Sequence, residues 1–232
     1  MAPPRARHTA RVNHLLAGLR TEDRLLLASA TRTEHPPAKQ MLSGRTDPAS
    51  EIWFPKAGVI ALSVTDNEGR TVQTGIVGSE GCVGLEAMFP DTPVLADAWV
   101  QIAGEISVIS VAQLRSAMEA RPSIQGALVR FLFALLTQSL QTVACNRLHS
   151  LEARCCFWLL MIWDRTGDSD LPLTQESLAT MLGSGRSRIN ALLAAMEQDG
   201  LVRRYRGRIR LLSRAGLERR ACECYRQLSG AK

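Results

Sequence analysis

The sequence predicts an α+β protein with three parts in order: an N-terminal β jelly roll, one long helix and a C-terminal winged helix-turn-helix domain. Short, β-branched segments separated by turn residues fill the first half of the chain. A run of 27 residues without proline then repeats its apolar residues with helical spacing, and the last fifth of the chain is strongly basic. We place the domains at residues 12–121, 122–149 and 150–232.

Composition and length favour a soluble globular protein. The 232 residues are 46% apolar and 22% charged, which is ordinary for such proteins. The apolar stretch 128–136 is interrupted by Arg130 and is shorter than the ~20 residues that cross a bilayer. Residues 1–13 are basic but precede no apolar run, so we expect no secretory signal, no membrane partner and a cytoplasmic location.

The first half of the chain predicts closely spaced strands. Residues 12–30 have helical spacing, and residues 31–50 are expected to form an irregular loop with one short strand at 40–43. From residue 52 the apolar residues fall into short runs, and Asp66–Gly69 has the composition of a hairpin turn. Such a region is typical of a small barrel or jelly roll. The predicted strands are 52–54, 58–64, 70–77, 94–102 and 105–110.

The long helix, predicted at 123–149 after a short helix at 111–120, is apolar on more than one side. One side can pack on the β-domain, and the other can pair with the same helix of a second subunit. A helix buried wholly within one chain is the alternative. The residues predicted for dimerisation are Leu128, Phe131, Leu132, Leu135, Gln138 and Thr142.

After a helix at 152–164, the C-terminal region predicts two helices joined by a tight turn. The first covers 173–183, with Thr174 as its N-cap and Gly183 in a left-handed conformation at its end. The second has Ile189, Leu193 and Met196 on one apolar face, together with Leu192. A short glycine-containing turn between two helices is typical of a helix-turn-helix. A hairpin at 201–212 and a helix at 214–228 are expected to follow.

Charge indicates what this region binds. Residues 1–185 carry 16 Lys and Arg against 18 Asp and Glu, a net charge of −2, whereas residues 186–232 carry 12 against 4, a net of +8. Short and polar side chains at the start of the second helix suit the DNA major groove, and Ser184 is expected to cap that helix beside a phosphate. For any single arginine in this region, the alternative to a DNA contact is a side chain that is simply exposed to solvent. The predicted DNA-binding residues are Thr174, Ser184, Arg186, Ser187, Arg188, Asn190, Ala191, Arg203, Arg204, Arg206 and Arg208.

The six cysteines form no CxxC pair, and no histidine is judged to lie at metal-ligand spacing from them. We therefore expect buried free thiols and no metal, with a redox-sensing thiol as an alternative, and a structural hydrogen bond at His149. No nucleophile–base set, phosphate loop or carboxylate pair indicates an enzyme. A protein-interaction module whose DNA-binding head has degenerated is the rival from another class.

Three segments, 53–89, 146–167 and 171–225, resemble the Crp/Fnr family of bacterial transcription regulators, and the last is particularly similar to alphaproteobacterial members. The resemblance implies a cyclic-nucleotide-binding-type jelly roll, a dimer formed through the long helix, and a winged-helix DNA reader. It also implies double-stranded DNA, a second copy of the chain and RNA polymerase as partners.

The effector region departs from members of that family that bind cyclic AMP. The Glu position that meets the ribose holds Leu85, and the place of the Arg-Ser pair for the phosphate falls near Asp97. The resemblance therefore implies a regulator without cyclic AMP, or one gated by another small molecule or by redox chemistry. The possible pocket residues are Gly84, Leu85, Glu86, Asp97 and Ser139.

The family's other known sensors are also not matched, and the recognition helix differs. The first cysteine is Cys82, so the N-terminal cysteine group of iron–sulfur members is missing, and no histidine pattern suits haem. We expect no cofactor. Ser187 stands where family members often have Glu, so this helix lacks an acceptor for cytosine.

Overall fold

The computed structural model describes residues 12–44, 49–89 and 91–229. Most of the segment behind the secretory-signal expectation, residues 1–11, lies outside this part. Residues 12–30 form two helices, α1 (His14–Ala17) and α2 (Thr21–Ala30), with a break at Gly18. Buried Asn13 caps α1 through the amide of Leu16 and donates to the carbonyls of Pro55 and Gly81, both at 2.8 Å. These bonds attach the N-terminal helices to the β-domain.

The β-domain consists of two antiparallel sheets, as the strand pattern predicts. One has the order β1-β7-β3 and the other the order β2-β6-β4-β5. The strand β1 lies within the segment predicted as irregular loop, while the hairpin turn at Asp66–Gly69 is confirmed by its φ of 77° at Gly69 and by bonds to Asp66 Oδ1. The strands are β1 (Arg32–Glu34), β2 (Met41–Ser43), β3 (Glu51–Pro55), β4 (Val59–Thr65), β5 (Thr71–Val77), β6 (Asp97–Ile102) and β7 (Ile106–Ser110).

Two helices follow the β-domain, α3 (Val111–Ala120) and α4 (Pro122–Leu148), and α4 is the predicted long helix. Phe131 of α4 packs so tightly over Gly81 that a Cβ there would lie 1.9 Å from its ring. Further along α4, buried Gln138 accepts the amide of Ile76 at 2.7 Å and donates to the carbonyl of the same residue at 3.2 Å. The helix is thus joined to β5 by apolar packing and by main-chain hydrogen bonds.

Most of the residues predicted for dimerisation lie inside the protomer. Leu128, Phe131, Gln138 and Thr142 are buried within the chain, and Leu135 is half-buried against the β-domain core. They belong to the seam that faces their own domain, so only Leu132 of the six is exposed. A second seam is exposed on the other side of the helix, and it consists of Val129, Leu132, Phe133, Leu136, Leu140 and Val143.

By length and composition α4, with its 27 residues, could also cross a membrane. The apolar stretch 128–136, taken alone, is too short to span a bilayer. A core helix of a soluble protein has the same length and composition. One side of α4 is packed against the β-domain, where Gln138 and Thr142 are buried polar residues.

The C-terminal domain comprises five helices and a three-stranded antiparallel sheet of order β8-β10-β9 among the residues described. One helix predicted at 214–228 is instead two, because the chain is extended at Ala221 and turns at Cys222. The elements are α5 (Leu151–Thr166), β8 (Asp170–Leu171), α6 (Gln175–Leu182), α7 (Arg186–Gln198), β9 (Val202–Tyr205), β10 (Arg208–Leu211), α8 (Arg214–Arg220) and α9 (Cys224–Ser229).

This domain contacts the β-domain directly. Val59 and Ile76 belong to the same apolar cluster as the core of the C-terminal domain. Arg165 of α5, only 6% exposed, forms an ion pair of 2.7 Å with Glu80. Because the Arg165 guanidinium is shielded from solvent, loss of Glu80 would leave a buried charge without its partner, so this ion pair links α5 to the β-domain.

Candidate nucleic-acid interface

The turn between α6 and α7 has the geometry of a helix-turn-helix. Gly183 adopts the predicted left-handed conformation, with φ 55° and ψ 43°, and the amide of Ser184 donates to the carbonyl of Ala179 at 3.0 Å. The guanidinium of Arg154 in α5 donates to the carbonyl of Leu182 at 2.5 Å. The end of α6 is therefore held from two directions, which sets the angle at which α7 leaves.

The caps of the two helices agree with the prediction in one case only. Thr174 caps α6 as expected: its Oγ1 accepts the amide of Ser177 at 3.0 Å, and the Oγ of Ser177 accepts the amide of Thr174 at 2.9 Å. For α7 the expected cap, Ser184, was wrong, because the helix begins one residue later than expected and its N-cap is Gly185. The amide of Ser184 is instead used to close the end of α6.

The helix α7 presents a polar tip and a short-chained outer face. Its inner residues Ile189, Leu193 and Met196 are fully buried, as predicted, while Leu192 is only half-buried. The predicted recognition residues of this helix all lie outside that core. They are Arg186, Ser187, Arg188, Asn190 and Ala191, and each is exposed.

Arg186, at the tip, is engaged within the protein. Its guanidinium forms an ion pair with Glu176, which lies in the first turn of α6. Both side chains are more than 60% exposed, so this pair contributes little to stability and can be exchanged for another acceptor at small cost. By contrast, Arg188 forms no salt bridge within the described ranges.

The hairpin β9–β10 follows α7 and is fixed to it through Glu197. The carboxylate of Glu197 accepts the amide of Arg204 at 2.9 Å and its Nε at 2.8 Å. Both bonds lower the pKa of Glu197, and the bond from the backbone amide has the larger effect. Arg204 thus positions the hairpin, and no signal in the sequence beyond its spacing from Glu197 could have distinguished it from its neighbours.

Aromatic and acidic residues order two further arginines of the hairpin. Arg208 and Arg210 lie over the ring of Tyr205, at 4.7 and 5.6 Å from its centroid. Both also reach Asp170 Oδ2, at 3.2 and 2.8 Å, and this carboxylate raises the pKa of Arg210. Sequence reasoning missed Tyr205 and Asp170, because Asp170 is nearly 40 residues away and meets the arginines only through the pairing of β8 with β10.

A cleft of about 350 Å³ is lined by some of the residues predicted to bind DNA. It lies between the start of α6, the tip of α7 and the hairpin. The structure places Thr174, Arg186, Arg204, Arg206 and Arg208 around it. The other predicted residues lie outside its lining: Ser184, Ser187, Arg188, Asn190, Ala191 and Arg203. The arrangement forms one concave basic surface with the exposed face of α7 beside it.

The predicted effector residues do not line the larger cavity that is found against α4. Gly84 has a φ of 92°, and a Cβ added to it would lie 2.4 Å from the carbonyl oxygen of Glu51. Leu85 is buried, and Glu86 accepts a hydrogen bond from the hydroxyl of Ser43 at 2.7 Å. Asp97 begins β6, and Ser139 is half-buried on α4. A separate cavity of about 450 Å³ beside α4 includes none of these five residues in the lining that the described residues provide.

All six cysteines are free and buried, as predicted. Burial raises the pKa of the thiols of Cys82 and Cys155. The judgement that no histidine lies at ligand spacing was wrong, because Cys145, His149, Cys222 and Cys224 converge with their ligand atoms within 4.8 Å of one another. The thiols of Cys145 and Cys222 share a hydrogen bond, which lowers the pKa of Cys222.

The sequence held a signal for this set: Cys145 and His149 are four residues apart at the end of the predicted long helix, and Cys222 and Cys224 form a later Cys-x-Cys. On one continuous helix over 214–228, as predicted, the side chains of Cys222 and Cys224 would point in different directions and could not share a ligand. The two helices that the structure has instead bring them together. The expected hydrogen bond at His149 is present, since its Nε2 lies 3.1 Å from Glu223 Oε1.

A β-roll, a long helix and a winged helix-turn-helix with an exposed basic recognition helix define a DNA-binding transcription regulator. Two family profiles match the chain: a cyclic nucleotide-binding domain over residues 33–121 and a Crp-like helix-turn-helix domain over residues 153–220. The chain belongs to the Crp/Fnr family of regulators and is not an enzyme.

Solved structures share the whole architecture at low sequence identity. A Crp/Fnr-family regulator from Eubacterium rectale has a TM-score of 0.69 and 19% identity, with 89% of this chain and 96% of that chain covered. FixK2 from Bradyrhizobium japonicum has a TM-score of 0.69 and 14% identity, with 83% and 98% covered. The c-di-GMP-responsive regulator CLP from Xanthomonas campestris has a TM-score of 0.69 and 16% identity, with 84% of this chain and 100% of that chain covered.

Among curated proteins, no significant match to this chain was found. The solved structures, all below 25% identity, establish the fold. The likeness to alphaproteobacterial members stays a prediction.

We predict that Glu197→Gln loosens the hairpin and lowers the thermal unfolding midpoint by a few degrees at pH 7. Because the pKa of Glu197 is lowered in the folded protein, its contribution is fully present above the ordinary value of 4.5 and is lost as the pH falls through the lowered pKa. The difference between wild type and variant should therefore disappear in acid. Thermal melts from pH 3 to 7, with Gln198→Ala as the control, test this; an equal difference at every pH would contradict it.

Proposed function

We propose that this regulator binds a palindromic DNA site as a homodimer, with α7 in the major groove, without cyclic AMP, in the cytoplasm and in contact with RNA polymerase. The observation that carries the proposal is the exposed face of α7, where Ser187, Asn190 and Ala191 leave the helix backbone close to any groove it enters.

Base reading is assigned to the tip of α7. Arg188, which is free of salt bridges within the described residues, suits a bidentate pair with guanine, and Asn190 suits adenine. Arg186 can leave its exposed partner Glu176 for DNA. The small side chain of Ser187 lets the neighbouring arginines approach the bases, although it offers no acceptor for cytosine.

Phosphate contacts are assigned to the hairpin and the start of α6. Arg203 and Arg206 are exposed and form no salt bridge in the described part of the chain. Arg204 and Arg208 are held by Glu197 and by Tyr205, so their role is first to position the hairpin. Thr174 and Ser184 each offer a hydroxyl near a helix N-terminus, that of α6 and that of α7, where a phosphate is stabilised.

We predict different effects for Arg188→Ala and Arg206→Ala on a duplex selected from random DNA with the wild-type protein. Arg188→Ala should cost about 1–3 kcal/mol at the selected site and relax preference at one base pair. Arg206→Ala should weaken binding to all DNA and reduce the slope of log affinity against log salt by about 1. Fluorescence anisotropy at several salt concentrations measures both.

The matched control is Arg24→Ala, which removes one exposed charge on α2 in the other domain. Uniform weakening by Arg188→Ala across all sequences would assign Arg188 to a phosphate and contradict the base-reading role. Failure of the wild type to enrich any DNA sequence would instead favour the protein-interaction module.

Dimerisation is assigned to the exposed seam of α4. Val129, Leu136 and Val143 are seven residues apart, and Phe133 and Leu140 repeat with the same spacing between them. This alternation of three and four residues is the pattern of a two-stranded coiled coil. Pairing two such helices would place two copies of α7 about 34 Å apart, one turn of duplex.

We predict that Leu140→Glu converts the protein from a dimer to a 25.4 kDa monomer, because it places a charge in the seam without disturbing the protomer core. Sedimentation equilibrium measures the mass. The control Leu95→Glu changes a leucine of the β-domain that is 77% exposed, and should leave the mass unchanged. A Leu140→Glu protein with the mass of the wild type would contradict the assignment.

Independence from cyclic AMP is supported by the chemistry of the predicted pocket. Leu85 is buried and apolar where a ribose-binding acid is expected, and Glu86 already accepts a hydrogen bond from the hydroxyl of Ser43. Asp97 is negatively charged, as is the phosphate that it would meet, so the two would repel each other. Titration of the full chain with cyclic AMP in a calorimeter should give no saturable heat. Saturable heat would contradict this, and the same titration with c-di-GMP tests gating by another nucleotide.

A further inference from the structure

At the junction of α4 with the C-terminal domain, three thiols and one imidazole converge. Cys145 is on the last turn of α4 and His149 follows the end of that helix. Cys222 lies in the break between α8 and α9, and Cys224 is the first residue of α9. The sulfur atoms of Cys145 and Cys222 are 3.5 Å apart, and Cys224 Sγ is 3.5 Å from His149 Nδ1. All four ligand atoms lie within 4.8 Å of one another.

We propose that these four residues, Cys145, His149, Cys222 and Cys224, form a tetrahedral zinc site that links the end of the long helix to the C-terminal segment of the DNA-binding domain. Nothing in the proposed DNA-binding function requires this site, and its test does not depend on DNA.

The distances between the ligand atoms suit zinc. With Zn–S bonds of ~2.3 Å and Zn–N bonds of ~2.0 Å, a regular tetrahedron has S···S edges of ~3.8 Å and S···N edges of ~3.5 Å. The S···N distance of 3.5 Å equals its edge, and the S···S distance of 3.5 Å is about 0.3 Å shorter than its edge. All other ligand distances are at most 4.8 Å, so they need to shorten by no more than about 1 Å. Rotations of the side chains are enough for a change of that size.

The surroundings also resemble those of a structural zinc site. If Nδ1 of His149 binds the metal, its Nε2–H donates to Glu223 Oε1 at 3.1 Å, an arrangement that fixes the ring and is common among zinc-binding histidines. The amide of Gln141 donates to Cys224 Sγ at 3.0 Å, which stabilises a thiolate. The thiols are buried, while the His149 side chain is 19% exposed and leaves a path for the ion.

Three cysteines and one histidine are a donor set of closed, structural zinc sites, and thiolates favour zinc over magnesium or calcium. Binding of Zn²⁺ replaces up to three thiol protons, which are released to solvent, and involves no oxidation. A disulfide between Cys145 and Cys222 is the competing use of the same atoms. It would leave Cys224, His149 and the Glu223 contact without a role.

The test uses the full chain, reduced, stripped of metal with a chelator and dialysed. Addition of Zn²⁺ should give one tightly bound ion per protomer by mass spectrometry of the metal, and Co²⁺ should produce the visible absorption of tetrahedral thiolate coordination. Cys224→Ala and His149→Gln should each lower zinc affinity at least tenfold, and Glu223→Gln about tenfold. The matched control Cys82→Ala removes a buried thiol outside the cluster and should bind zinc normally.

Circular dichroism establishes that each variant is folded. A folded wild-type protein that takes up no zinc, or a cobalt spectrum unchanged in both Cys224→Ala and His149→Gln, would overturn the proposal. So would a native protein in which Cys145 and Cys222 are recovered as a disulfide-linked peptide pair, because the cluster would then be a redox pair.

Discussion

Gln138 exchanges two hydrogen bonds with the main chain of Ile76, and through them α4 closes the outer edge of the β-domain. An outer strand has unpaired amides and carbonyls, so a glutamine with one donor and one acceptor satisfies both at once. The orientation of α4 about its own axis follows from this contact. One apolar seam faces the β-domain, the other faces away, and Cys145 at its end faces the C-terminal domain.

The basic surface of the C-terminal domain is divided by its internal contacts. Arg204, Arg208 and Arg210 are held by Glu197, Tyr205 and Asp170, which fix the shape of the hairpin. Other arginines, including Arg188 and Arg206, keep their charge available to a partner. A high positive charge alone gives attraction to any polyanion, whereas arginines ordered on a rigid hairpin can distinguish one geometry of phosphates from another.

Most elements of the fold were predictable because they depend on local patterns. The alternation of apolar residues indicated the strands from 52 to 110, Gly183 indicated the turn, and the long run after Pro122 indicated α4. The errors arose where local pattern was ambiguous. Two apolar seams share α4, and the sequence does not say which one the β-domain covers; the break at Cys222 has no proline or glycine to announce it.

The sequence by itself determined the order of the parts, the helix-turn-helix with its basic tip, and the resemblance that places the chain in its family. These follow from short-range periodicity, turn residues and charge. Only the tertiary structure decided which face of α4 is free, which arginines are engaged, and that Cys145 and His149 meet Cys222 and Cys224 across more than 70 residues. Such meetings depend on how whole elements pack, because burial is shared among segments that are distant in the chain.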